Sequence, residues 1–342
     1  MRQITIHDPT LRDGNHAVSH QLTLENIANY CKIAEAAGVP VIEVGHGNGL
    51  GASSILVGQS LVDDELIIKT ARGQLKNTKL SMHVIPGFAT IKKDIVLAID
   101  LGVDIFRIGT HVTEADISKR HIEYVRSKGL TAMGVLMMSH MASIKQLVSE
   151  AKKMQSYGAQ ALVIMDSSGH YLSVDVIERI SALKDSLEIP VGFHGHNNLG
   201  MAIANSLAAA QSGAEIIDAS IRGFGAGAGN TQLEILVAVL ERMKYQTSIN
   251  LHKILDAADL AEKTFNPIPA FSTTLCIVSG LAGVFSGFAK HVKSVSKDFN
   301  VDEKDVFFEL GRRGVISGQE SIIYEVAQDL AAKKIKEEYH GF

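Results

Sequence analysis

The sequence predicts an α/β fold, a (β/α)8 TIM barrel followed by a C-terminal helical appendage. Short apolar runs rich in β-branched residues alternate with longer segments of helical period, the pattern of repeated βα units around a parallel sheet. Eight such units can be counted, and 342 residues accommodate a barrel of about 250 residues with an added piece of about 70 to 90. A doubly wound sheet is the alternative, but the even spacing without a second nucleotide-binding half favours the closed barrel.

Each predicted strand is a short apolar run, and a segment of helical period follows almost every one. Glycine closes several of these helices just before the next strand, as in Ala37-Gly38 and Ser212-Gly213, where it suits the left-handed C-cap position. The eight strands are predicted at Gln3 to His7, Val39 to Val44, Leu80 to Ile85, Asp104 to Ile108, Thr131 to Met137, Ala161 to Met165, Pro190 to Phe193 and Glu215 to Ala219.

The alternation ends near Asn266-Pro267-Ile268-Pro269, and only helical periods follow. The run from Cys276 to Ala289 contains serines and glycines and is shorter than a membrane span, so it predicts a packed helix at an interface. Two further helices are predicted at Val301 to Gly311 and Glu320 to Glu338, which gives a catalytic barrel domain at 1–265 and a helical domain at 266–342.

The composition excludes several classes of function. Lys and Arg number 33 against 37 Asp and Glu, and no basic stripe is present, so a nucleic-acid partner is not expected. The chain opens without an export signal and has no membrane span, and its two cysteines, Cys31 and Cys276, lie alone in helical patterns as small core residues. A compact protein of the reducing cytoplasm is expected.

Polar residues collect where the predicted strands end, and that rim is where barrel enzymes place their sites. His194-Gly195-His196 follows strand seven, and side chains two apart on a strand project the same way and can hold one metal ion. Asp13, on the loop after strand one, would complete a set of two imidazoles and one carboxylate. The alternative is a chance pair of histidines, but their position at a strand end favours a metal site.

Two residues beside Asp13 point to chemistry at that metal. Arg12 offers a fixed cation for the negative oxygen of an enolate left by a 2-oxo acid, although a surface ion pair with Asp13 is the alternative. His16 lies within one loop of the metal set and could act as a general base near neutral pH, although a loop histidine is more often inert.

A glycine-rich segment, Gly223 to Asn230, follows strand eight and precedes a helix, so its backbone amides could bind a carboxylate or phosphate. The segment also fits the dinucleotide fingerprint loosely. That fingerprint belongs after the first strand of a βαβ unit with an acidic residue about 20 positions later, where Asn250 stands instead, so a nicotinamide cofactor is not expected.

Long motifs across nearly the whole chain resemble the 4-hydroxy-2-oxovalerate aldolases, within the metal-dependent TIM-barrel lyases related to hydroxymethylglutaryl-CoA lyase. The resemblance rests on motifs from both ends of the barrel and from the appendage. These motifs are Thr10 to Ala17, Ile42 to Gly51, Gly109 to Asp116, Leu136 to Ser143, Asp166 to Gly169, Gly192 to Asn205, Gly223 to Asn230 and Leu310 to Arg313.

The resemblance implies a class II aldolase that cleaves or forms 4-hydroxy-2-oxo acids, with pyruvate and a short aldehyde as the two halves. It implies that Asp13, His194 and His196 hold the metal, usually manganese, and that the substrate's oxygens complete the coordination. Arg12 would stabilise the pyruvate enolate, His16 would remove the proton of the C4 hydroxyl, and Ser167 would contact the substrate.

The appendage departs from the family at one stretch. The family usually reads Tyr-Ala-Gly-Val-Tyr-Ser-Ser-Phe, where this chain reads Leu281-Ala282-Gly283-Val284-Phe285-Ser286-Gly287-Phe288. Phe285 keeps the ring of the functional tyrosine but lacks its hydroxyl, so an altered substrate orientation or stereochemical preference is expected. The resemblance also implies that the appendage meets an acylating aldehyde dehydrogenase, and a homo-oligomer is expected.

Two other functions stay open at this point. A Claisen-type condensation of an acyl-CoA with a 2-oxo acid would use the same fold and metal, but no basic cluster suited to a CoA phosphate is present. A non-catalytic partner of a dehydrogenase would fit the loss of both tyrosines, but such a protein would be free to lose Arg12, Asp13, His16, His194 and His196, and all five remain.

Overall fold

The structure is a computed structural model, and it describes residues 2–265 and 271–340. Eight parallel strands pair in sequence order, and the last pairs with the first to close a barrel. The strands are β1 Thr5–Leu11, β2 Val41–Val44, β3 Lys79–Val84, β4 Ile105–His111, β5 Thr131–Met137, β6 Leu162–Asp166, β7 Val191–Gly195 and β8 Ile216–Asp218. The predicted (β/α)8 barrel with C-terminal helices is therefore confirmed.

Helices follow the strands around the outside of the barrel and then form the appendage. The barrel helices are α1 Leu24–Ala37, α2 Asp64–Gln74, α3 Val96–Asp100, α4 Lys119–Ser127, α5 Ile144–Ser156, α6 Ser173–Ser186, α7 Ala202–Gln211, α8 Leu233–Arg242 and α9 Leu251–Phe265. The appendage contains α10 Thr274–Ala282, α11 Ala289–Phe299, α12 Glu303–Arg312 and α13 Ser321–His340.

The first and fourth predicted strands end furthest short of the observed strands. The first continues to Leu11 because its pairing with β2 resumes beyond a register shift between Asp8 and Leu11. Pro9 lies at that irregularity, where a missing backbone N–H is tolerated. The fourth strand continues to His111, which pairs with Met137 of β5.

The prediction of one continuous helix from Cys276 to Ala289 is wrong. Helix α10 ends at Ala282, and Gly283 follows in the left-handed conformation with φ of 66°. A 3-10 turn at Ser286–Phe288 then leads into α11. The glycine ends the helix because it adopts positive φ without a Cβ penalty. The predicted boundary near Asn266 to Pro269 lies outside the described residues.

Two hydrophobic clusters account for most of the buried apolar side chains. The larger lies between the barrel wall and its helices and includes Ile42, Leu80 and Phe106. The smaller lies within the appendage and includes Phe288 and Phe307. Among residues 2–265 and 271–340, no helix is long and apolar enough to cross a membrane.

The barrel interior changes from apolar to charged along the strands. Val41, Ile105 and Ile216 belong to one buried apolar layer, which Met133 and Ala161 complete. Two residues further along β2, β4 and β8, on the same face of each strand, stand Glu43, Arg107 and Asp218, all fully buried or nearly so. This charged layer lies directly beneath the C-terminal rim where the site is built.

The appendage is joined to that rim by hydrogen bonds. Asn198 Nδ2, from the loop after β7, donates to Ser279 Oγ at 2.8 Å and to Ser286 Oγ at 2.6 Å. His140 Nε2 lies 2.9 Å from the carbonyl oxygen of Gly283. These contacts place the turn that carries Phe285 over the mouth of the barrel.

Candidate active site

Three potential metal ligands converge at the C-terminal rim. The ligand atoms of Asp13, His194 and His196 lie within 4.8 Å of one another, and all three side chains are buried. His194 Nε2 and His196 Nε2 are 3.3 Å apart. Burial lowers the pKa of His196 to about 4, although Asp13 opposes the shift, so the imidazole is neutral near pH 7 and its ring can donate a lone pair.

A buried ion chain connects the two sides of this cluster. Arg12 Nη1 donates to Asp13 Oδ1 at 2.7 Å, and Arg12 Nε donates to Glu43 Oε1 at 2.6 Å. Glu43 Oε2 lies 3.2 Å from Arg107 Nη1, and Arg107 Nη2 donates to Asp218 Oδ2 at 2.5 Å. The surface ion pair considered for Arg12 is therefore wrong, because its side chain is only 4% exposed.

The carboxylates of this chain stay ionised although they are buried. Burial would raise the pKa of Asp13, but Arg12 and the nearby histidines hold it well below its usual range. Burial opposes ionisation of Glu43 as well, yet Arg107 and Arg12 lower its pKa to about 2. Arg107 and His194 likewise keep the pKa of Asp218 far below normal against the effect of burial.

The residues present fit a divalent cation. Two imidazoles and one carboxylate match the ligand chemistry of transition metals such as manganese, iron, cobalt, nickel and zinc. The ion chain contains three carboxylates and two guanidinium groups, which leaves one uncompensated negative charge beside the imidazoles. A cation at that point would satisfy both the ring nitrogens and the charge.

The loop after β8 holds Asp13 in place. Asn230 Nδ2 donates to Asp13 Oδ2 at 2.8 Å, and the backbone N–H of Ala226 donates to the same oxygen at 3.2 Å. A Cβ on Gly225 would lie 2.6 Å from Asp13 Oδ2, so only glycine allows this close approach. The glycine-rich segment was predicted to bind a carboxylate or phosphate, and the carboxylate bound there is that of Asp13.

His16 and Arg12 face the same cavity as the metal ligands. This cavity, of about 290 Å³, is lined by Arg12, Asp13 and His16 together with His194 and His196. Burial lowers the pKa of His16, although Asp13 opposes the shift. Arg12 Nη2 is buried, and no residue within 2–265 or 271–340 accepts its hydrogen bond. A neutral imidazole and a free guanidinium donor are thus both available to a bound molecule.

Glycine also allows the imidazole of His16 to approach the backbone. A Cβ on Gly47 would lie 2.4 Å from His16 Nε2, so the ring rests directly on the chain after β2. Behind His16, the rings of His20 and His46 stack at 3.8 Å, and the centroid of His20 is 4.8 Å from that of His16. The loop histidine is packed on two sides, and its position in the site is fixed.

Ser167 and Phe285 complete the wall of the cavity. Ser167 Oγ accepts the backbone N–H of Met138 at 2.9 Å, which leaves its own hydroxyl hydrogen free to donate. The Phe285 ring meets Phe288 edge-on at 6.2 Å and also lines an adjoining cavity of about 720 Å³ between the barrel and the appendage. The residues selected from the sequence therefore all border one space.

The sequence-based prediction of the site did not include Glu43, Arg107, Asp218 or Asn230. Glu43, Arg107 and Asp218 could have been predicted as inward-facing residues. Each is a charged residue inside a strand, two positions after an apolar residue on the same face. Asn230 carried no such signal, since its contact with Asp13 joins loops from opposite ends of the barrel sequence.

Comparison with known proteins shows the same two parts. A family model described as HMGL-like matches residues 3–261, and one described as a DmpG-like communication domain matches residues 271–332. Among solved structures, the carboxyl transferase domain of Rhizobium etli pyruvate carboxylase with pyruvate superimposes with a TM-score of 0.80 at 15% identity, covering 98% of this chain and 62% of that chain. That likeness shows the fold alone.

Curated relatives are similar along the full length. A 4-hydroxy-2-oxovalerate aldolase from Pectobacterium atrosepticum is 63% identical over 97% of each chain. One from Spirochaeta aurantia is 58% identical over 96% of this chain and 97% of its own. The chain therefore belongs to the 4-hydroxy-2-oxovalerate aldolase family and is a carbon–carbon lyase.

Proposed function

We propose that this enzyme is a divalent-metal-dependent class II aldolase that cleaves, or forms, 4-hydroxy-2-oxo acids, with pyruvate and a short aldehyde as the two halves. The observation that carries the proposal is the meeting of Asp13, His194 and His196 with Arg12 and His16 around one cavity. These five side chains share three tasks in breaking a bond next to a 2-oxo acid.

Asp13, His194 and His196 would hold the cation, and manganese is the metal proposed. The bound ion would act as a Lewis acid and template for the oxygens of the 2-oxo acid. Asp13 is itself fixed by three donors, namely Arg12, Asn230 and the amide of Ala226. A ligand held in this way keeps its geometry without reorganising when substrate enters.

Arg12 would stabilise the negative oxygen that develops on C2. Its Nε and Nη1 are engaged by Glu43, Asp13 and the carbonyl oxygen of Gly47, whereas Nη2 has its hydrogens unused among the described residues. When the C3–C4 bond breaks, its electron pair moves to C3 and the C2 oxygen, which gives the enolate of pyruvate. A preorganised guanidinium donor favours this charge in a buried site.

His16 would accept the proton of the C4 hydroxyl. Because burial lowers its pKa, the imidazole is unprotonated near neutral pH and has a lone pair available. Loss of that proton converts C4 and its oxygen into the carbonyl group of the departing aldehyde. Protonation of C3 then completes pyruvate, and the reverse sequence forms the carbon–carbon bond.

Ser167 and Phe285 would shape the substrate's position. The Ser167 hydroxyl or backbone is proposed to contact the 2-oxo acid, since it lies on the loop after β6, next to the strand that carries His194. Phe285 is proposed to confine the substrate from the appendage side without donating a hydrogen bond.

An acylating aldehyde dehydrogenase is the proposed partner. The support is the match of residues 271–332 to a communication domain and the cavity between barrel and appendage, which Phe285 lines together with His16. An aldehyde released beside His16 would enter that cavity before it reached solvent. The two-domain division at 265/266, a homo-oligomer and a cytoplasmic location stay predictions.

The test is pyruvate release from racemic 4-hydroxy-2-oxopentanoate and its longer homologues by the purified full chain supplied with manganese. Pyruvate formation that is lost in His16→Asn and kept in the distant control His252→Asn supports the proposal. If the manganese-bound protein released no pyruvate across the series, but released thiol from an acyl-CoA with a 2-oxo acid, the Claisen-type reaction would replace it.

A further inference from the structure

One wall of the cavity carries histidine nitrogens that have no partner. His83 on β3 and His111 at the end of β4 both line the cavity. His83 Nδ1 and His111 Nε2 are buried, and nothing in the described ranges 2–265 and 271–340 forms a hydrogen bond with either atom. Buried polar atoms in native proteins almost always have partners, so a group brought by a ligand is the expected one here.

The His83 ring is held firmly in place. Its side chain is almost fully buried, at 2% exposure. A Cβ on Gly109 would lie 2.7 Å from His83 Cε1 and 2.9 Å from Nε2, so the ring rests on the bare backbone of the next strand. Such a ring offers its nitrogens in a fixed orientation, which favours recognition of one particular group.

The charge state of His83 limits which chemical groups of a ligand could bind to it. Burial, with help from Arg12, lowers the pKa of His83 to about 3, so the ring is neutral near pH 7. A neutral imidazole has one N–H donor and one acceptor nitrogen. A hydroxyl group can pair with Nδ1 in either tautomer, as acceptor or as donor, whereas a carboxylate or phosphate needs donors only.

The position of His83 assigns it to one half of the substrate. The proposed partners of the 2-oxo acid are Arg12 and the metal-binding residues on β7 and the loop after β1, with Ser167 after β6. His83 lies on β3, and Ile85 and Phe88, which also line the cavity, follow it along the chain. None of the proposed partners of the 2-oxo acid lies on β3, so this wall is left for the part of the substrate that leaves as the aldehyde.

Resting on the proposed aldolase function, we propose that His83 hydrogen-bonds a hydroxyl group on the aldehyde half, so that the preferred aldehyde carries a hydroxyl on the carbon next to its carbonyl. In cleavage, the C3–C4 bond breaks, the C4 hydroxyl loses its proton to His16, and C4 becomes the aldehyde carbon. The C5 hydroxyl is unchanged, C3 gains a proton, and no external oxidant or reductant takes part.

The experiment compares two substrates that differ by one group. Racemic 4,5-dihydroxy-2-oxopentanoate and racemic 4-hydroxy-2-oxohexanoate have a hydroxyl and a methyl group, respectively, on C5. Their kcat/KM values for pyruvate release are measured with the manganese-loaded full chain and with His83→Leu and His83→Gln. His252→Leu, at an exposed position of the outer helix α9, is the matched control because it makes the same exchange of side chain away from the cavity.

The unmodified enzyme should favour the dihydroxy acid by roughly tenfold or more, because a site built to bind a hydroxyl leaves its polar atoms unpaired with the methyl analogue. His83→Leu should abolish that ratio by lowering kcat/KM for the dihydroxy acid only. His83→Gln should retain part of the ratio, and His252→Leu should leave it unchanged. A merely structural role of His83 would affect both substrates alike.

Two results would overturn this inference while leaving the aldolase proposal intact. They are equal kcat/KM values for both substrates in the unmodified enzyme, or a parallel loss for both in His83→Leu. Failure of the aldolase proposal is distinguishable, since it would appear as an absence of pyruvate from either substrate and from every homologue.

Discussion

His194 Nδ1 lies 2.9 Å from Asp218 Oδ2 at the bottom of the site. Because the pKa of Asp218 is held far below normal and a carboxylate only accepts hydrogen bonds, the ring hydrogen of His194 is on Nδ1. Its Nε2 is then the ring nitrogen on the side of Asp13 and His196. The same carboxylate binds Arg107, so the ion chain sets the tautomer of a metal ligand.

Asp218→Asn should weaken metal binding by roughly 10-fold to 100-fold, because the amide no longer fixes the His194 tautomer and Arg107 loses one of its two carboxylate partners. Titration of manganese into metal-stripped protein by calorimetry measures the dissociation constant. Asp185→Asn, on the exposed face of α6, is the control. Equal affinity in both variants would contradict the role assigned to Asp218.

Asp13→Asn should lower metal content and activity together while the fold survives, because Asp13 lies on the rim and not in the hydrophobic core. We expect a loss of affinity larger than that of Asp218→Asn, of more than about 100-fold. Metal analysis after gel filtration, circular dichroism and pyruvate release check the three parts. Unchanged metal content would show that Asp13 is not a ligand.

Gly225→Ala should weaken metal binding, although Gly225 is not itself a metal ligand. The new methyl group would lie 2.5 Å from Asn230 Nδ2 and 2.6 Å from Asp13 Oδ2, so the Asp13 carboxylate must shift. We expect at least a roughly tenfold loss in manganese affinity, measured as above. Gly73→Ala is the control, since no atom lies within 4 Å of its added Cβ and it stands in a helix, where alanine stabilises by about 0.5 to 1 kcal/mol.

Phe285→Tyr should change aldehyde preference or stereochemical outcome while bond cleavage persists. The ring already lines the cavity, and the added hydroxyl would contribute one hydrogen bond of about 0.5 to 1.5 kcal/mol. Cleavage of separate C4 enantiomers, with kcat/KM for each, measures the effect. If neither the enantiomer ratio nor the aldehyde preference moved, Phe285 would not occupy the position assigned to it.

Asp8→Asn should alter the pH dependence of stability. Burial raises the pKa of Asp8 to about 6, against hydrogen bonds from Thr10 and Tyr30 that lower it. A pKa raised on folding contributes stability below the unfolded pKa of about 3.8, and that contribution is lost as the pH rises through about 6. Between about pH 5 and about pH 8 the loss is on the order of 1 kcal/mol.

The Asp8→Asn protein does not lose this part of its stability as the pH rises. Its free energy of unfolding, minus that of the unmodified protein, should therefore increase by about 1 kcal/mol between about pH 5 and about pH 8. Urea unfolding at both pH values gives the difference directly. A uniform difference in stability, caused by the lost acceptor, would add to this pH-dependent rise without changing its size. A parallel pH dependence, however, would show that Asp8 is not the group that titrates.

Much of the fold was predictable from the sequence because strands buried on both faces read as continuous apolar runs. All eight strands lie where the runs predicted them, and only their ends differ, most at the first strand, whose pairing with β2 resumes beyond the irregularity. The alternation of strand faces also brought His194 and His196 to one side, and closure of the barrel placed β1 beside β8.

The contacts that support the site were less predictable. Glu43, Arg107 and Asp218 could have been recognised as inward-facing charges, but their pairing depends on distances across the barrel. The bond from Asn230 to Asp13 spans most of the barrel sequence, and the fit of Gly225 against it depends on tenths of an ångström. Such contacts are set by tertiary closure and not by any local pattern.

The central claim is that a cation held by Asp13, His194 and His196 supports formation of a pyruvate enolate beside Arg12. Exchange of the C3 hydrogens of pyruvate in D2O, followed by NMR, measures that step without any aldehyde. We expect exchange with manganese-loaded enzyme and almost none with metal-stripped enzyme. Equal exchange in the loaded and the stripped protein would contradict the account.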